Sequence, residues 1–366
     1  MTERSESPKR IAFFLPNMGG GGAERVALAS IVDLAGRGHE VDLVLVRAEG
    51  ELLPLVPPEV HLFDLKSSRI FAALLPLARY LKARRPDALH ALMWPVTIVA
   101  ILAHRLARSR ARLMVSDHIA YSKMVRGLRE RAMLRWTTRR FYPAADFRIV
   151  VSADAADDLA ALSGIPRDRF EVIYNPVSPP AIIATNPQVE ALWGEADRRI
   201  ITVGSLKEQK NQALLLRAFA QLRGHPRAKL MILGEGPLRP MLEGLAAELG
   251  VADRVVMPGF ALNPWPYLAS ADLFVLSSDY EGFGIALVEA MYAGLRVIST
   301  DCRSGPREIL DGGRYGKLVP TGDVAALADA IATTLAEPAE PDRMRERAKV
   351  LTGPSRLARY ADLLLG

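Results

Sequence analysis

The sequence predicts an α/β protein built from two doubly wound, parallel-sheet halves. Its 366 residues, half of them hydrophobic, are too many for one ordinary core and suit two domains. Short apolar runs alternate with longer helical patterns through both halves, the order that parallel sheets require. The alternation breaks once, at a loop holding Pro176, Pro179, Pro180 and Pro187, and then restarts.

In the first half, Ile11–Leu15 reads as a buried strand, Gly19–Gly22 as a turn, and Glu24–Arg37 as a helix stopped by Gly38. Val41–Val46, Leu89–Leu92, Leu113–Val115 and Phe147–Val151 read as further strands, each preceded by a helical stretch. In the second half the strands are Arg199–Val203, Lys229–Leu233, Val255–Met257, Leu273–Leu276 and Arg296–Ser299, with a short one in Gly316–Pro320. Helices fall at Asn211–Arg223, Pro237–Leu249, Ile285–Ala293 and Val324–Leu335. The amphipathic stretch Ser355–Leu365 closes the chain. The expected domains are therefore 1–178 and 188–350.

Composition excludes several classes. Cys302 is the only cysteine, so neither a disulfide framework nor a cysteine metal site is available, which favours a reducing, cytoplasmic setting. The first apolar stretch is too short for a signal peptide. The longest apolar run, Ala91–Ala103, contains Pro95 and falls short of the roughly 18 residues that span a bilayer. The net charge of +6 attracts phosphates, whether of nucleotides, nucleic acid or lipid headgroups. No nucleic-acid module or aromatic platform accompanies it. The six histidines, His118 among them, show no metal-ligand spacing, and no metal is expected.

Four motifs carry chemistry. Gly19-Gly20-Gly21-Gly22-Ala23-Glu24-Arg25 follows the first strand and opens a helix, where glycines let backbone amides approach an anion. It is neither a dinucleotide fingerprint nor a Walker loop, and a plain βα turn explains it equally well. In Val203-Gly204-Ser205-Leu206-Lys207-Glu208-Gln209-Lys210-Asn211 a strand ends at glycine and Lys210 lies near a helix start, suited to a diphosphate leaving group or simply to solvent. The richest run is Ser277-Ser278-Asp279-Tyr280-Glu281-Gly282-Phe283-Gly284-Ile285-Ala286-Leu287-Val288-Glu289. It places free helix-start amides beyond a strand's carboxyl end, where open α/β sheets bind ligands, between two carboxylates. Acidic helix capping is the alternative, but Gly-Phe-Gly forms helix poorly and so favours backbone approach. His118 follows a strand of the first half and reads either as a substrate contact or proton carrier, or as a surface histidine. Ser304-Gly305-Pro306-Arg307-Glu308 reads as structural.

Together, GGGGAERV, VGSLKEQKN, SSDYEGFGIALVEAM and SGPREIL resemble family 4 of the retaining glycosyltransferases, from Gly19 to about Gly322. The resemblance implies the GT-B fold, two Rossmann-like domains facing across a donor-binding cleft, with a C-terminal helix of about 352–366 packing back on the first. It implies that Gly20, Gly21 and Gly22 approach the donor phosphates, and that Lys210 holds the diphosphate. Ser205 stands where the family has an arginine, so either Lys207 or Arg25 compensates or the diphosphate is bound more weakly. It further implies that Glu281 meets the donor hexose, that Gly284, Ile285, Ala286 and Leu287 meet the phosphates alongside Gly282 and Phe283, and that Glu289 holds the ribose. Gly234, Gly236, Gly259 and Phe260 border the base, and His118 lies near the reacting centre, so His118, Lys210 and Glu281 are the expected catalytic set.

The implied reaction transfers a hexose from a nucleotide sugar, UDP-linked by family frequency, to an acceptor hydroxyl with retention and without cofactor or metal. The acceptor is expected on the first domain, where Lys123, Arg126, Arg129, Arg131, Arg135, Arg139 and Arg140 crowd one helical stretch, Lys123–Arg140, with Met124, Leu128, Met133, Leu134 and Trp136. Such a stretch lies on anionic membrane or is an ordinary solvated face. The membrane reading points to a lipid-linked or cell-surface glycan acceptor and to a place on the cytoplasmic face. Rival readings are an epimerase or phosphorylase on the same fold, or a nucleotide-sugar binder with weak catalysis.

Overall fold

A computed structural model describes residues 7–125 and 127–366, the side chain of Lys123 excepted. The chain forms two compact units, 1–176 together with 354–366, and 177–353.

The first unit holds a seven-stranded parallel sheet. Its strands are β1 (Arg10–Leu15), β2 (Glu40–Leu45), β3 (His61–Asp64), β4 (Ala88–Leu92), β5 (Arg112–Asp117), β6 (Phe147–Val150) and β7 (Glu171–Val172), ordered β3-β2-β1-β4-β5-β6-β7. Helices on both faces bury β1, β2, β4 and β5 almost completely, which is why those strands read as continuous apolar runs. The sequence pattern shows five strands here. The edge strands β3 and β7 escape it because β3 is mostly exposed and β7 has two residues, so neither carries an apolar run. The chain re-enters this unit as the Pro354–Leu365 helix, which packs on β4, β5 and the Gly22–Gly36 helix. Its buried face is Tyr360, Ala361, Leu363 and Leu364. Lys9 and Arg112 donate to the carbonyls of Leu365 and Leu363, placing cations at its C-terminal end, where the helix dipole favours them.

The second unit holds a six-stranded parallel sheet of β8 (Arg198–Val203), β9 (Ala228–Leu233), β10 (Val255–Gly259), β11 (Leu273–Leu276), β12 (Arg296–Thr300) and β13 (Lys317–Val319), ordered β10-β9-β8-β11-β12-β13. The strands match the sequence pattern closely. The Pro341–Thr352 helix does not announce itself, because charged residues dominate it; Met344, Ala348 and Leu351 supply its buried stripe, and it packs on the Ile285–Tyr292 helix.

The basic stretch of the first unit is not one helix. Tyr121–Met124 forms one turn, Val125 and Gly127 are extended, and a second helix runs Leu128–Phe141. Buried Val125 and the poor helix former Gly127 separate them. Of the expected cations, Arg126 and the Lys123 side chain lie outside the described residues. In both sheets the strand order reverses once, between β1 and β4 and between β8 and β11. At such a reversal the connecting loops diverge and leave a crevice at the carboxyl ends of the strands.

Candidate active site

In the second unit the site forms at that reversal. Lys210 lies in the turn after β8, Glu281 in the loop after β11. Lys210 Nζ donates to Glu281 Oε1 at 2.7 Å. Ser278 Oγ donates to the same oxygen at 2.6 Å. Glu281 is 4% exposed, and the Lys210 side chain retains only 20% of its exposure. Lys210 is therefore not a solvated surface lysine: it is an ammonium held against a buried carboxylate.

The two loops are stitched together along their length. Gln209 Nε2 donates to the Tyr280 carbonyl, the Asp279 amide to the Gln209 carbonyl, and Ser277 Oγ to the Lys210 carbonyl. Asn211, in the left-handed region at φ 43°, caps the Gln212–Ala220 helix through the Leu214 amide and donates from Nδ2 to Asp279. None of the links between the two loops is readable from spacing, since their partners are about seventy residues apart.

The Ile285–Tyr292 helix starts beside this pair. Gly284, at φ 105°, makes the left-handed entry; the Ile285 and Ala286 amides have no carbonyl inside the helix, whereas the Leu287 amide, expected at the phosphates, already donates to the Gly284 carbonyl at 3.0 Å. Gly282, Phe283 and Gly284 are buried, while Ile285 and Ala286 stay partly exposed, so the helix start is reachable from outside. Leu287 and Glu289 are buried. Gly305, treated as structural from sequence alone, sets this loop. At φ 94° it runs against Phe283, and a Cβ there would sit 1.8 Å from the Phe283 carbonyl oxygen. Cys302 lies nearby; burial, aided by the Glu281 charge, pushes its thiol up to about 12, leaving it a neutral packing group.

Further glycines join the carboxyl ends of β8, β9 and β10. The Gly204 amide donates to Leu233 and the Gly234 amide to Gly259, both at 2.9 Å. A Cβ on Gly234 would lie 2.1 Å from the Gly204 carbonyl oxygen, and one on Gly236 2.6 Å from that of Leu206. Phe260 is exposed just beyond β10. Ser205 offers no cation; its carbonyl accepts from Gln212 Nε2. Lys207 is exposed two residues on, and Arg25 belongs to the other unit.

In the first unit, Gly20, Gly21 and Gly22 are exposed after β1, with Gly21 as the uncapped N-cap of the Gly22–Gly36 helix. Gly50, at φ 124°, lies against this loop so closely that a Cβ would be 2.2 Å from the Met18 carbonyl. The loop is thus a supported helix start rather than a loose turn.

His118 follows β5, and here the structure adds residues that sequence spacing does not reveal. Ser116 Oγ lies 3.0 Å from His118 Nε2 and 2.9 Å from Nε2 of His90, on β4. His90 is fully buried, between Phe13 and Tyr360. Burial lowers His118 to about 4, with Asn175 working the other way. Burial and the neighbouring His118 push His90 well below the usual range. The intervening Asp117 accepts from Tyr121 and Tyr142, at 2.5 and 2.7 Å, and from the Trp94 amide. Burial nevertheless raises it to about 6. The only hint in the sequence is a polar His and Ser inside otherwise apolar strands. Among the described residues one acidic-histidine group, Glu40, Asp42 and His61, has metal-like spacing. Arg84 bridges both of its carboxylates and Arg10 binds Glu40, so cations of the chain already fill it.

Two parallel-sheet Rossmann-like units with this site define a GT-B glycosyltransferase. The chain matches the model of the glycosyl transferases group 1 over residues 187–351 and that of glycosyltransferase family 4 over 20–179. It is 30% identical over 355 residues to the N-acetylgalactosamine-N,N'-diacetylbacillosaminyl-diphospho-undecaprenol 4-alpha-N-acetylgalactosaminyltransferase of Campylobacter jejuni, covering 93% of each chain. It is 31% identical over 186 residues to a lipopolysaccharide 1,6-galactosyltransferase of Salmonella typhimurium, about half of each chain. Among solved structures, HepE of Anabaena in complex with UDP and glucose superposes with a TM-score of 0.80 at 20% identity, over 98% of this chain and 99% of that one. The chain belongs to glycosyltransferase family 4.

Proposed function

We propose that the protein transfers a hexose-type sugar from a nucleotide-sugar donor, with retention at the anomeric carbon, to a hydroxyl of a lipid-linked or cell-surface glycan. One observation carries this reading: the Lys210–Glu281 pair at the β8/β11 reversal, beside the open start of the Ile285–Tyr292 helix. An ammonium and a helix N-terminus together stabilise the charge that develops on a departing diphosphate. Glu281, already buried and hydrogen-bonded, accepts from sugar hydroxyls when Lys210 turns to phosphate. Glu289 takes the ribose, and the glycine edges of β8 to β10 border the base. The glycosidic bond to phosphate breaks, the acceptor oxygen bonds to the anomeric carbon, and the acceptor proton passes to the leaving phosphate. Charge stabilisation comes from the chain, so no resident metal or cofactor is invoked.

The acceptor class draws support from the relatives. The Campylobacter protein is named for a diphospho-undecaprenol acceptor, and others are named for lipopolysaccharide biosynthesis. It also draws on the Leu128–Phe141 helix. Leu128 and Trp136 are exposed on it among Arg129, Arg135 and Arg139, the pattern of a helix lying in an anionic interface. No helix among the described residues is long and apolar enough to cross a membrane. UDP is the proposed nucleotide, as in the HepE complex.

The test is calorimetric titration with UDP and GDP, followed by product analysis with a labelled nucleotide sugar with and without a polyprenyl-diphosphate glycan. Label in the glycan with retained configuration supports the reading. Label returned as an epimer, or lost only to inorganic phosphate, sinks it. Binding without turnover, restored by Ser205→Arg, identifies a weak catalyst lacking its second cation.

A further inference from the structure

We infer that Lys207 is the second cation of the donor site and holds the phosphate next to the nucleoside, while Lys210 holds the phosphate next to the sugar. The inference deepens the functional reading above and rests on it.

A nucleotide sugar carries its charge on two phosphates, and Lys210 faces only one of them. Ser205 brings no charge, but the turn after β8 holds another cation. Lys207 is exposed, and among the described residues it has no ion pair. The other cations around these loops are committed. Arg239 donates to Glu235, to Glu243 and to the Met257 carbonyl, at 2.8, 2.9 and 2.8 Å. Arg307 is paired with Asp301. Arg303 forms a parallel bridge with Tyr280, and alternation along that pair sets it on the face opposite Glu281.

The backbone sets Lys207 beside Ser205. Leu206 is fully buried between partly exposed Ser205 and exposed Lys207, the alternation of an extended segment. Ser205 and Lys207 therefore leave the same face. The Lys207 amide donates to the Ser205 carbonyl at 3.0 Å, a three-residue turn that draws the two residues together. The flexible four-carbon stem of lysine then brings an ammonium in front of the short Ser205 side chain.

The turn also has two differently fastened ends. At the first, the Leu206 amide donates to the Glu235 carbonyl at 3.0 Å and the Leu238 amide to the Leu206 carbonyl at 3.1 Å. These bonds tie Lys207's side of the turn to the loop after β9. At the second end, Lys210 is tied to the loop after β11 through Glu281 and through Ser277, which donates to its carbonyl. β8 lies between β9 and β11. A nucleotide sugar with its base beside Gly234 and Gly236 and its sugar at Glu281 crosses the turn from the first end to the second. Its nucleoside-side phosphate passes Lys207, and its sugar-side phosphate reaches Lys210 and the helix start. Lys210 thus meets the oxygen that leaves, and Lys207 the phosphate that is held alike before and during transfer. Lys207 is a donor-binding residue, whose loss weakens binding without slowing the chemical step.

The test is calorimetric titration of the full chain with UDP, UMP and uridine, or with the guanosine series where GDP binds tighter. Lys207→Ala should weaken UDP and UMP by about tenfold each and leave uridine within about twofold. Lys210→Met should weaken UDP and spare UMP. Ser205→Arg added to Lys207→Ala should bring UDP back to within about twofold of wild type, since a guanidinium there faces the same space. With a labelled nucleotide sugar, Lys207→Ala should raise the donor KM about tenfold and keep kcat within about twofold. Lys207 is exposed, so its urea midpoint should not move. UMP affinity unchanged by Lys207→Ala, or uridine weakened as much as UMP, overturns the assignment while the donor site itself stands. A fall in kcat at constant KM overturns it as well, because Lys207 would then act in the transition state alone. A wild-type chain that binds neither UDP nor GDP sinks the donor reading and the assignment with it.

Discussion

In the proposed reaction the Lys210–Glu281 contact has a chemical role beside its structural one, and the two separate by measurement. Truncating either partner leaves the other partly desolvated and unpaired. Lys210→Met and Glu281→Gln should each lower stability by about 1–3 kcal/mol. The double variant should fall short of their sum by about 0.5–3 kcal/mol, as expected for residues in contact, measured by urea unfolding. Turnover should not recover in the double variant, because the charge on the leaving diphosphate would still lack its ammonium. A recovered rate would show the pair to be scaffolding only. The buried histidines give a second residue-scale effect. His90 and His118 have depressed proton affinity in the folded chain, so the unfolded chain binds more protons and stability falls as pH drops from about 6.5 towards 4. Asp117, raised to about 6, works against them, because its folded form takes up a proton first. Near pH 5 the two histidines outweigh Asp117, so stability still falls as the pH drops. Asp117→Asn should steepen that fall. A flat profile between pH 4 and 6.5 would contradict the burial of both rings.

At the scale of elements, the proposed binding chemistry falls on helix starts whose supports lie elsewhere in the chain. Gly305→Ala adds a Cβ into the Phe283 carbonyl and should displace the Gly282–Gly284 loop. The expected result is UDP affinity weakened by roughly tenfold or more, with a lowered unfolding midpoint. Unchanged affinity would mean that this loop does not meet the nucleotide. The Leu128–Phe141 helix gives an independent test: Trp136→Ser with Arg139→Glu should abolish flotation with vesicles rich in anionic lipid, while UDP affinity stays constant. These elements also mark what the sequence reveals. Buried strands and the E-x7-E segment are legible, because continuous apolar runs and a glycine-flanked helix start are local signals. The edge strands β3 and β7 are not, nor is the break at Val125–Gly127, where local and tertiary preferences compete. The Gly305 support and the His90–Ser116–His118 chain are invisible for another reason: each depends on which strands become neighbours. His90 and Ser116 meet only because β4 lies beside β5.

On the scale of the molecule, the first unit is discontinuous in sequence. Residues 354–366 complete it after the second unit has been traversed. A fragment of residues 1–176 would uncover the face that Tyr360, Ala361, Leu363 and Leu364 cover and open the packing of His90. We expect that fragment to be poorly folded alone and rescued by a peptide of residues 354–366, followed by histidine NMR. The 177–353 fragment, with its own sheet and core, should fold independently.

That discontinuity sets an order of events on the ribosome. Tyr360 cannot reach His90 until the intervening 177 residues, 177–353, have been made. At elongation rates of about 5–20 residues per second this is a wait of roughly 10–35 s. During the interval the earlier-made half stands open at β4 and β5, and the later-made half closes first. A stalled chain ending near residue 350 should therefore hold a protease-resistant second half and a sensitive first one, the reverse of the order of synthesis.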